Sequence, residues 1–329
     1  MGIVLSGIRP TGNLHIGNYF GAMQNFLKMQ EENDCYFFIA DYHSLTTHPT
    51  PGDLHNSVRQ VFAEYLACGL DPEKATIYIQ SDLPETAELY LLLNMNSYIG
   101  ELERTTSFKD KVRQQPENVN AGLLTYPVLM TADILIHNAE KVPVGKDQEQ
   151  NLEMARKFAK RFNHIYKVNY FNEPQAYNFG NELIKIPGLD GSGKMGKSEG
   201  NGIFLIDDEK TNKKKVMRAV TDSGPTEMNQ KISEPVQNLF TIMDIVSAKD
   251  TVQFFKEKYA SCEIRYGDLK KQLAEDLNKF ISPIREKIND IYSDEKYLHE
   301  VAKLGQEKAQ LSSKKTVQEV REIIGFKTF

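Results

Sequence analysis

Apolar and polar positions follow two different periods along the first half of the chain. Short apolar runs at 3–5, 35–40 and 75–79 are rich in β-branched and aromatic residues, which is typical of buried strands. Between and after them, apolar residues recur every three or four positions, most clearly over about 53–69 and 85–98, and predict amphipathic helices. Strands that alternate with helices in this way predict an α/β fold, a doubly wound parallel sheet with helices on both faces.

The second half of the chain changes from this alternating pattern to an almost entirely helical one. Further helices are predicted at about 127–138 and 148–163, with a short strand at 142–145 between them. From about residue 208 onward no strand pattern occurs. We therefore expect two domains, an α/β domain over 1–207 and a mostly helical domain over 208–329.

Glycine-rich loops in the α/β half indicate where a ligand would bind. Parallel sheets bind ligands beyond the carboxyl ends of their strands. A loop rich in glycine and proline follows the first strand and the turn 41–43 follows the second, so both are expected at that edge. A second glycine-rich stretch at 180–202 is long for a simple connection and predicts a mobile functional loop.

Charge and cysteine content narrow the class of protein. The 45 acidic residues outnumber the 40 basic ones, giving a formal net charge of −5, which excludes nucleic-acid binding through bulk positive charge. Three widely spaced cysteines without a C-x-x-C pair argue against a zinc knuckle, an iron–sulfur site or a disulfide framework. No apolar run reaches membrane-spanning length and no signal-peptide pattern occurs, so we expect a cytoplasmic protein without a membrane partner.

The segment Arg9–Asn18 has the chemistry of a nucleotide loop. It is a glycine-rich turn that leads into a predicted helix, whose first N–H groups and partial positive charge favour phosphate. Gly17 would let an adenine ring approach the backbone, and His15 and Asn18 could donate hydrogen bonds to phosphate or ribose. The alternative is an ordinary strand-to-helix connection in which Asn18 caps the helix.

The segment Gly191–Ser198 carries two lysines, Lys194 and Lys197, on a glycine-flanked loop. This arrangement suits a clamp that neutralises charge on a polyphosphate during reaction. The segment also fits the P-loop pattern G-x-x-x-x-G-K-S, but a P-loop needs a buried strand before it and a helix after it. The flanks are rich in glycine and proline, so the P-loop interpretation is disfavoured.

Taken together, the two segments resemble the two signatures of class I aminoacyl-tRNA synthetases, and further segments resemble tryptophanyl-tRNA synthetases within that class. The similar segments, which span about residues 1–225, are Ser6–Gly12, Gly17–Tyr19, Gly100–Arg104, Ala132–Leu135, Val142–Gln148 and Ala219–Ser223. Three positions depart from the common patterns: Asn18 replaces a His of the general signature, Gly196 replaces a Ser, and Arg9 stands where many members carry Gln.

The resemblance implies a two-step reaction on a Rossmann-like catalytic domain. ATP and L-tryptophan would give tryptophanyl-adenylate and pyrophosphate, and the aminoacyl group would then pass to tRNA(Trp). The attacking carboxylate is already ionised at neutral pH, so the first step needs alignment and charge stabilisation rather than a strong base. Mg²⁺ is expected on the phosphates because ATP usually carries it. No carboxylate cage for a protein-bound metal is evident in the sequence, so we expect the metal to arrive with the substrate.

The resemblance also assigns an ATP site and catalytic residues. Gly145, Lys146 and Asp147 would meet the ribose, and Ile186 would contact adenine through its backbone. The catalytic residues would be Thr11, Asn18, Lys194 and Lys197, with Lys109 added by position alone. The full ATP-binding set is Arg9, Pro10, Thr11, Gly17, Asn18, Gly145, Lys146, Asp147, Ile186, Lys194, Met195, Gly196, Lys197 and Ser198.

A tryptophan pocket can be argued from spacing. Tyr126, Met130 and Asp133 recur at i, i+4 and i+7, so they share one face of a helix. Indole has a single polar group, an N–H that only donates, and a buried carboxylate would accept it. The alternatives are ordinary core for the first two residues and a helix-end ion pair for Asp133. The resemblance adds Leu5, Gly7, His43, Val142, Val144 and Gln148 to the pocket.

For macromolecular partners the sequence offers less. Lys213, Lys214, Lys215 and Arg218 form a basic stripe, either a solvated helix face or a contact for tRNA phosphates. The resemblance implies a homodimer with each tRNA spanning both subunits, a dimer-interface and connecting segment at about 100–140, and anticodon binding by 208–329. Three other interpretations remain open, namely a tyrosyl-tRNA synthetase, a small nucleotidyltransferase and a non-catalytic regulator that binds tryptophan or RNA.

Overall fold

A computed structural model describes residues 2–145, 149–177, 185–197 and 199–326. Within these residues the chain builds one sheet of five parallel strands, in the spatial order β3-β2-β1-β4-β5. The strands are β1 (Ile3–Ile8), β2 (Asp34–Ile39), β3 (Ala75–Ile79), β4 (Lys141–Val142) and β5 (Gln175–Ala176). The predicted α/β fold class and the first three predicted strands are confirmed.

Helices connect the strands and make up almost all of the chain after residue 208. A π turn (Tyr19–Met23) joins the first two of them, and 3₁₀ turns lie at Leu45–Thr47 and Gln80–Asp82. In chain order the helices are α1 (Ile16–Asn18), α2 (Gln24–Glu32), α3 (Asp41–Ser44), α4 (Pro51–Ala67), α5 (Pro84–Asn94), α6 (Ile99–Leu102), α7 (Thr106–Gln114), α8 (Ala121–Ile136), α9 (Glu149–Tyr166), α10 (Glu209–Met217), α11 (Glu234–Val246), α12 (Lys249–Ala260), α13 (Tyr266–Ser293) and α14 (Glu295–Ile324).

Helix α8 begins six residues earlier than its predicted start near 127, and the cause is its cap. Asn120 is the N-cap, and its side-chain Oδ1 accepts the Leu123 N–H at 3.2 Å. Pro127, the residue at the predicted start, lies inside the helix. The polar stretch at 100–122, for which no element was predicted, also contains the short helices α6 and α7.

The sheet is buried on both faces, as the alternation of its side chains requires. Val4 and Phe37 pack on one face, in a cluster with α4 and α13. Leu5 and Tyr36 are the chain neighbours of Val4 and Phe37 and are paired with each other in register. They pack on the opposite face, with α8 and α9. This arrangement leaves the carboxyl ends of the strands as the open edge of the sheet.

The last two helices return to these same layers. Leu273 of α13 belongs to the cluster that contains Tyr65 of α4, and α14 lies against β3. Gly305 of α14 approaches so closely that a Cβ atom there would overlap the Ile77 carbonyl oxygen. Lys308 Nζ also donates to the Pro72 carbonyl at 2.6 Å. The helical half therefore shares its core with the sheet, and the functional division at 207/208 stays a prediction.

Candidate active site

The loop Arg9–His15 and the helix α3 follow β1 and β2 and meet at the open edge of the sheet. The Ala40 N–H donates to the Ile8 carbonyl at 2.8 Å, so β1 and β2 stay hydrogen-bonded up to the point where each following segment leaves the sheet. The sequence predicted this placement. Every side chain described below projects from this edge or from a segment packed against it.

His15 caps helix α1 together with Asn18. The Asn18 N–H donates to His15 Nδ1 at 3.2 Å, and the His15 N–H donates to Asn18 Oδ1 at 3.1 Å. Burial, together with the ammonium groups of Lys197 and Lys194, lowers the pKa of His15 to about 4. The ring is therefore neutral at pH 7, and because Nδ1 accepts, its proton lies on Nε2, which remains a donor.

Gly17 fits a narrow space between His15 and Ile186. A Cβ atom at position 17 would lie 2.8 Å from His15 Nδ1 and 3.6 Å from Ile186 Cβ. The contact with His15 explains why glycine is needed at position 17. The contact with Ile186 brings together the two residues that were expected near adenine, Gly17 from its missing side chain and Ile186 from the resemblance. Ile186 is buried, as is Pro10, whereas Thr11 is exposed at the tip of the loop.

The second lysine-containing segment is a hydrogen-bonded turn. The Met195 N–H donates to the Ile186 carbonyl at 2.9 Å, and the Gly196 N–H donates to Asn201 Oδ1 at 3.0 Å. Asn201 is itself buried, and its Nδ2 donates to the Lys194 carbonyl and to the Asp190 carboxylate. Sequence reasoning missed Asn201, although it closes the turn on which both lysines stand.

Lys197 joins the two signature segments directly. Its Nζ donates to the Gly12 carbonyl at 3.1 Å, and the backbones are paired nearby, with Ile16 N–H donating to the Ile203 carbonyl at 3.0 Å. Burial lowers the pKa of Lys197, the carboxylate of Glu64 opposes that shift, and Arg9 adds to it. Lys194 is more exposed, and its ammonium acts on His15 across the same space.

Glu64 of α4 contacts the loop through Leu14, and no sequence pattern singled it out. It is fully buried, and its Oε2 accepts the Leu14 N–H at 2.9 Å while Oε1 accepts the Gln60 Nε2 donor at 3.1 Å. Burial raises the pKa of this carboxyl to about 7. The role of this glutamate is visible only in the folded structure, where the loop packs against it.

Cationic side chains gather at this edge of the sheet. Two buried guanidinium nitrogens of Arg9, Nε and Nη2, have no partner within the described part of the chain. Lys111 Nζ lies 4.2 Å from the centre of the Tyr126 ring, and burial, with the nearby charge of Arg9, lowers its pKa to about 8. The sequence-predicted Lys109 is exposed on the same helix α7 and makes no side-chain contact with these groups. The structure thus brings Lys111, which was not predicted, to the site.

The predicted tryptophan-pocket residues Asp133, His43 and Tyr126 come together beside this cluster. Asp133 is 3% exposed, its Oδ2 lies 2.8 Å from His43 Nε2, and the His43 ring centre lies 4.4 Å from that of Tyr126. Asp133 Oδ1 accepts a second hydrogen bond, from Gln80 Nε2 at 2.6 Å. Gln80, which follows β3, was not predicted, and its Oε1 accepts the Tyr42 N–H at 3.1 Å.

Burial raises the pKa of Asp133, although its hydrogen bonds with His43 and Gln80 act in the opposite direction. The carboxylate is held by these two partners and keeps further lone pairs. The other predicted pocket residues are near: Leu5 and Val142 are buried in the cluster against which Met130 and Val144 pack. Gly7 lies where a Cβ atom would overlap the Phe38 ring.

Four predicted residues, Lys146, Asp147, Gln148 and Ser198, lie outside the described residues, and Gly145 is the last described residue before the first three. A separate apolar cavity of about 280 Å³ opens on the outer side of Tyr126, lined also by Leu45, Tyr90 and Leu129. It includes none of the other predicted pocket residues.

Among the described residues, no group of three His, Cys, Asp or Glu side chains is placed to hold a metal ion. No described helix is long and apolar enough to cross a membrane.

Comparison with known proteins adds independent findings. Residues 2–282 match the family described as tRNA synthetases class I (W and Y). The chain is 63% identical over 327 residues to the tryptophan–tRNA ligase of Porphyromonas gingivalis, covering 99% of this chain and 100% of that protein. It is 41% identical to the tryptophan–tRNA ligase of Clostridium perfringens, covering 98% and 97% respectively. The solved structure of tryptophanyl-tRNA synthetase from Campylobacter jejuni, complexed with ADP and tryptophan, superposes with a TM-score of 0.89 at 36% identity, covering 98% of this chain and 100% of that chain.

Proposed function

This chain belongs to the class I tRNA synthetases for tryptophan and tyrosine, and from that membership we propose how its residues join tryptophan to tRNA. The activity is that of a tryptophan–tRNA ligase, with ATP as substrate. The observation that carries the residue assignment is the meeting of the two signature segments at Lys197 and Gly12, beside the unpartnered guanidinium of Arg9. Buried cations of this kind call for an anionic ligand.

In our proposal the nucleotide lies along this edge. Gly17 and Ile186 lie on the same side of the adenine ring, because a Cβ atom at position 17 would lie only 3.6 Å from Ile186 Cβ, too close for a ring to fit between them. Arg9, Lys111 and Lys197 meet the triphosphate, with Lys194 at its more exposed end. Mg²⁺ arrives with ATP as part of the substrate and neutralises the phosphates further.

The chemistry then needs position and charge rather than proton transfer. The tryptophan carboxylate attacks the α-phosphorus, the bond to the bridging oxygen breaks, and negative charge grows on the departing pyrophosphate. Lysine ammonium groups already fixed beside that position stabilise the charge without reorganising. The aminoacyl group then passes from the adenylate to the terminal ribose of tRNA(Trp).

We place the indole ring against Tyr126, Met130 and His43, with its N–H donating to the Asp133 carboxylate. Two partners already orient that carboxylate, and a third donor can still reach a free lone pair. A tyrosine side chain in the same place would bring a hydroxyl that both donates and accepts. The pocket therefore favours a ring whose only polar group is a donor.

Pyrophosphate exchange tests the proposal. Purified protein is incubated with ATP, labelled pyrophosphate and each of the twenty amino acids in turn, and label entering ATP is measured. We expect exchange that depends on tryptophan, with tyrosine far weaker, and transfer of tryptophan to tRNA(Trp) in a second assay. Exchange driven by tyrosine, or by no amino acid, would contradict the assignment.

We also propose that the protein is a homodimer. An apolar surface runs from the end of α5 to the start of α6, beside the cavity at Tyr126. Its most exposed residues are Leu91, Met95, Tyr98 and Ile99. Contiguous apolar surface of this kind indicates a protein interface, and it lies immediately before the segment at about 100–140 that was predicted to form one.

A matched pair of substitutions tests this surface. Met95 and Met228 are both 74% exposed, but only Met95 belongs to the apolar surface. Met95→Glu should shift the sedimentation coefficient from dimer toward monomer, because the interface would bury an unpaired charge. Met228→Glu should leave it unchanged, and equal behaviour of the two variants would remove this surface as the interface.

For tRNA, we propose that the helical half binds the anticodon region and that the enzyme works in the cytoplasm. Lys213, Lys214 and Arg218 of the basic stripe are exposed and available for phosphates. Lys215 is not, because its Nζ donates to Asp207 Oδ2 at 2.6 Å and lies over the Phe204 ring. Replacing the three exposed residues by Ala should weaken tRNA binding at low salt and leave pyrophosphate exchange intact.

A further inference from the structure

Helix α4 carries one carboxylate into the hydrophobic core. Glu64 is 0% exposed, and its neighbours Val61, Phe62 and Tyr65 are core residues of the same helix. Burying a carboxylate is unfavourable unless specific partners compensate for the lost water. The partners of the Glu64 carboxylate all belong to the two signature segments or to α4 itself.

The contacts of Glu64 converge on the nucleotide edge. Its Oε2 accepts the Leu14 N–H at 2.9 Å, and the Leu14 carbonyl in turn accepts the Leu205 N–H at 2.9 Å. Two residues earlier in the loop, the Gly12 carbonyl holds Lys197 Nζ. One carboxylate thus fixes the loop that receives Lys197 and lies near enough to Lys197 to act on its charge.

The two charges support one another. Burial lowers the pKa of Lys197 and Arg9 lowers it further, while Glu64 raises it. Conversely, burial raises the pKa of Glu64 to about 7, and the hydrogen bonds from Leu14 and Gln60 together with the charge of Lys197 act against that rise. The other titratable group at Glu64 is the Cys68 thiol on the same helix, whose pKa rises well above its ordinary value through burial and through Glu64.

We propose that Glu64 is a positioning residue for adenylate formation, holding Leu14 of the nucleotide loop and keeping the Lys197 ammonium charged and docked beside Gly12. This inference rests on the role proposed above for Lys197. Glu64 itself touches no substrate. It presets the lysine so that little reorganisation is needed when pyrophosphate charge develops. A carboxylate that served only as a structural anchor would need its hydrogen bonds but not its charge.

Glu64→Gln separates these two roles. The amide keeps an oxygen acceptor for the Leu14 N–H and nearly the same volume. It removes the charge and replaces the oxygen that accepts from Gln60 with an NH2 donor, which Gln60 can meet with its own Oε1 after an amide flip. The substitution should be tolerated, because the carboxyl already takes up a proton near pH 7. At pH 8 we expect the rate constant for tryptophan-dependent pyrophosphate exchange to fall about tenfold, with KM for tryptophan and the melting midpoint unchanged.

The pH profile gives a second measurement on the unmodified protein. In the wild type, kcat/KM for ATP should rise through about pH 7 as Glu64 ionises, because this parameter reports the free enzyme. The Gln variant should lack this rise, so the two proteins should converge at pH 6 and diverge at pH 8. ATP ionises identically in both assays and cannot produce the difference.

A double-mutant cycle with Lys197 completes the test. If Glu64 acts through Lys197, Glu64→Gln should cause no further loss in a Lys197→Ala background. An equal loss in both backgrounds, or a wild-type rate and pH profile for Glu64→Gln alone, would overturn the positioning role. A Lys197→Ala variant with full exchange activity would instead overturn the proposed role of Lys197, so the two failures are distinguishable.

Discussion

At the scale of single residues, Lys197 has the most constrained position in the site. Its Nζ donates to the Gly12 carbonyl, and burial lowers its pKa. A lysine in this state is poised to exchange a carbonyl oxygen for a phosphate oxygen. Its contribution should therefore appear in the rate of the chemical step more than in the binding of the amino acid.

Lys197→Ala should slow adenylate formation by about 10²–10³-fold, the loss typical of a removed oxyanion donor. Tryptophan binding should change little, because the lysine faces the phosphates. Rapid-quench measurement of the adenylate gives the rate. Ligand fluorescence gives the affinity against a background without protein tryptophan, since the chain has none. An unchanged rate would remove Lys197 from the chemistry.

Asp133 makes the second prediction at this scale. Asp133→Ala should lower kcat/KM for tryptophan about tenfold or more, because the buried indole N–H would lose its acceptor at a cost of roughly 1–3 kcal/mol. An analogue with sulfur in place of the ring nitrogen has no N–H to lose. Its kcat/KM should fall much less.

The difference between the two substrates is the informative quantity. The same substitution also leaves His43 and Gln80 without their shared partner, which would impair both substrates equally. Equal losses in the exchange assay would therefore show that Asp133 only organises the pocket. In that case indole would be recognised by shape.

Asp133 and Lys197 could be selected from the sequence as candidate site residues because each stands in a local pattern. Asp133 lies on a helical face, and Lys197 lies on a glycine-flanked loop. The sequence could not separate Lys109 from Lys111, which lie two positions apart on one short amphipathic helix. Only the packing of α7 shows which of them meets Tyr126. Gln80 and Glu64 were missed for a related reason, since their partners are 53 and 50 residues distant in the chain.

At the scale of elements, the turn that carries Lys194 and Lys197 depends on Asn201. One amide binds both sides of the turn, with its Oδ1 on Gly196 and its Nδ2 on the Lys194 carbonyl. Gly196 lacks the hydroxyl expected at its position, and the turn is held by these bonds together with the Met195 N–H bond to the Ile186 carbonyl and the bonds from Ser192 to Asp190. The sequence predicted a mobile loop here, and the described residues form a closed one.

Asn201→Ala should reduce the rate of pyrophosphate exchange about tenfold, because each of the lost hydrogen bonds contributes roughly 0.5–1.5 kcal/mol to holding the turn. Tryptophan affinity by ligand fluorescence is the control, since the pocket at Asp133 does not touch this turn. A variant with normal exchange would show that Ser192 and Asp190 hold the turn without Asn201.

Element boundaries show why local pattern has limits. The predicted start of α8 was near residue 127, but Asn120 supplies the cap seven residues earlier, and Thr131 Oγ1 donates to the Pro127 carbonyl within the helix. Helices α6 and α7 were not predicted because they are short and bury few side chains. Where burial is strong, as in β1 to β3, prediction and structure agree.

At the scale of the whole molecule, α14 ties the end of the described chain to β3. Gly305 allows the helix backbone to touch the Ile77 carbonyl. Gln306 Nε2 donates to the Asp82 carbonyl at 3.2 Å, so the helix also holds the turn that contains Gln80. The sequence predicted helical structure here but not where the helix would pack. A glycine within a helix can be present for several reasons, so Gly305 alone did not indicate close contact with a strand.

Gly305→Ala should destabilise the protein by about 1–3 kcal/mol, because the added methyl must push the helix from a rigid backbone. Gly267→Ala in α13 is the matched control, since a Cβ atom there meets nothing within 4 Å and alanine favours the helix. Urea unfolding of both variants measures the difference. Equal stabilities would mean that α14 can shift away from β3 freely.

The packing of α14 also fixes an order of events during synthesis. Residues 75–82, which form β3 and the turn after it, leave the ribosome long before residues 295–324 exist. Until then the side of β3 that meets Gly305 faces water, and the turn bearing Gln80 lacks its contact with Gln306. A ribosome-stalled chain ending at residue 294 should therefore bind tryptophan more weakly than one that includes α14. We therefore expect the proposed amino-acid pocket, although built from the first half of the chain, to be completed only once α14 has been made.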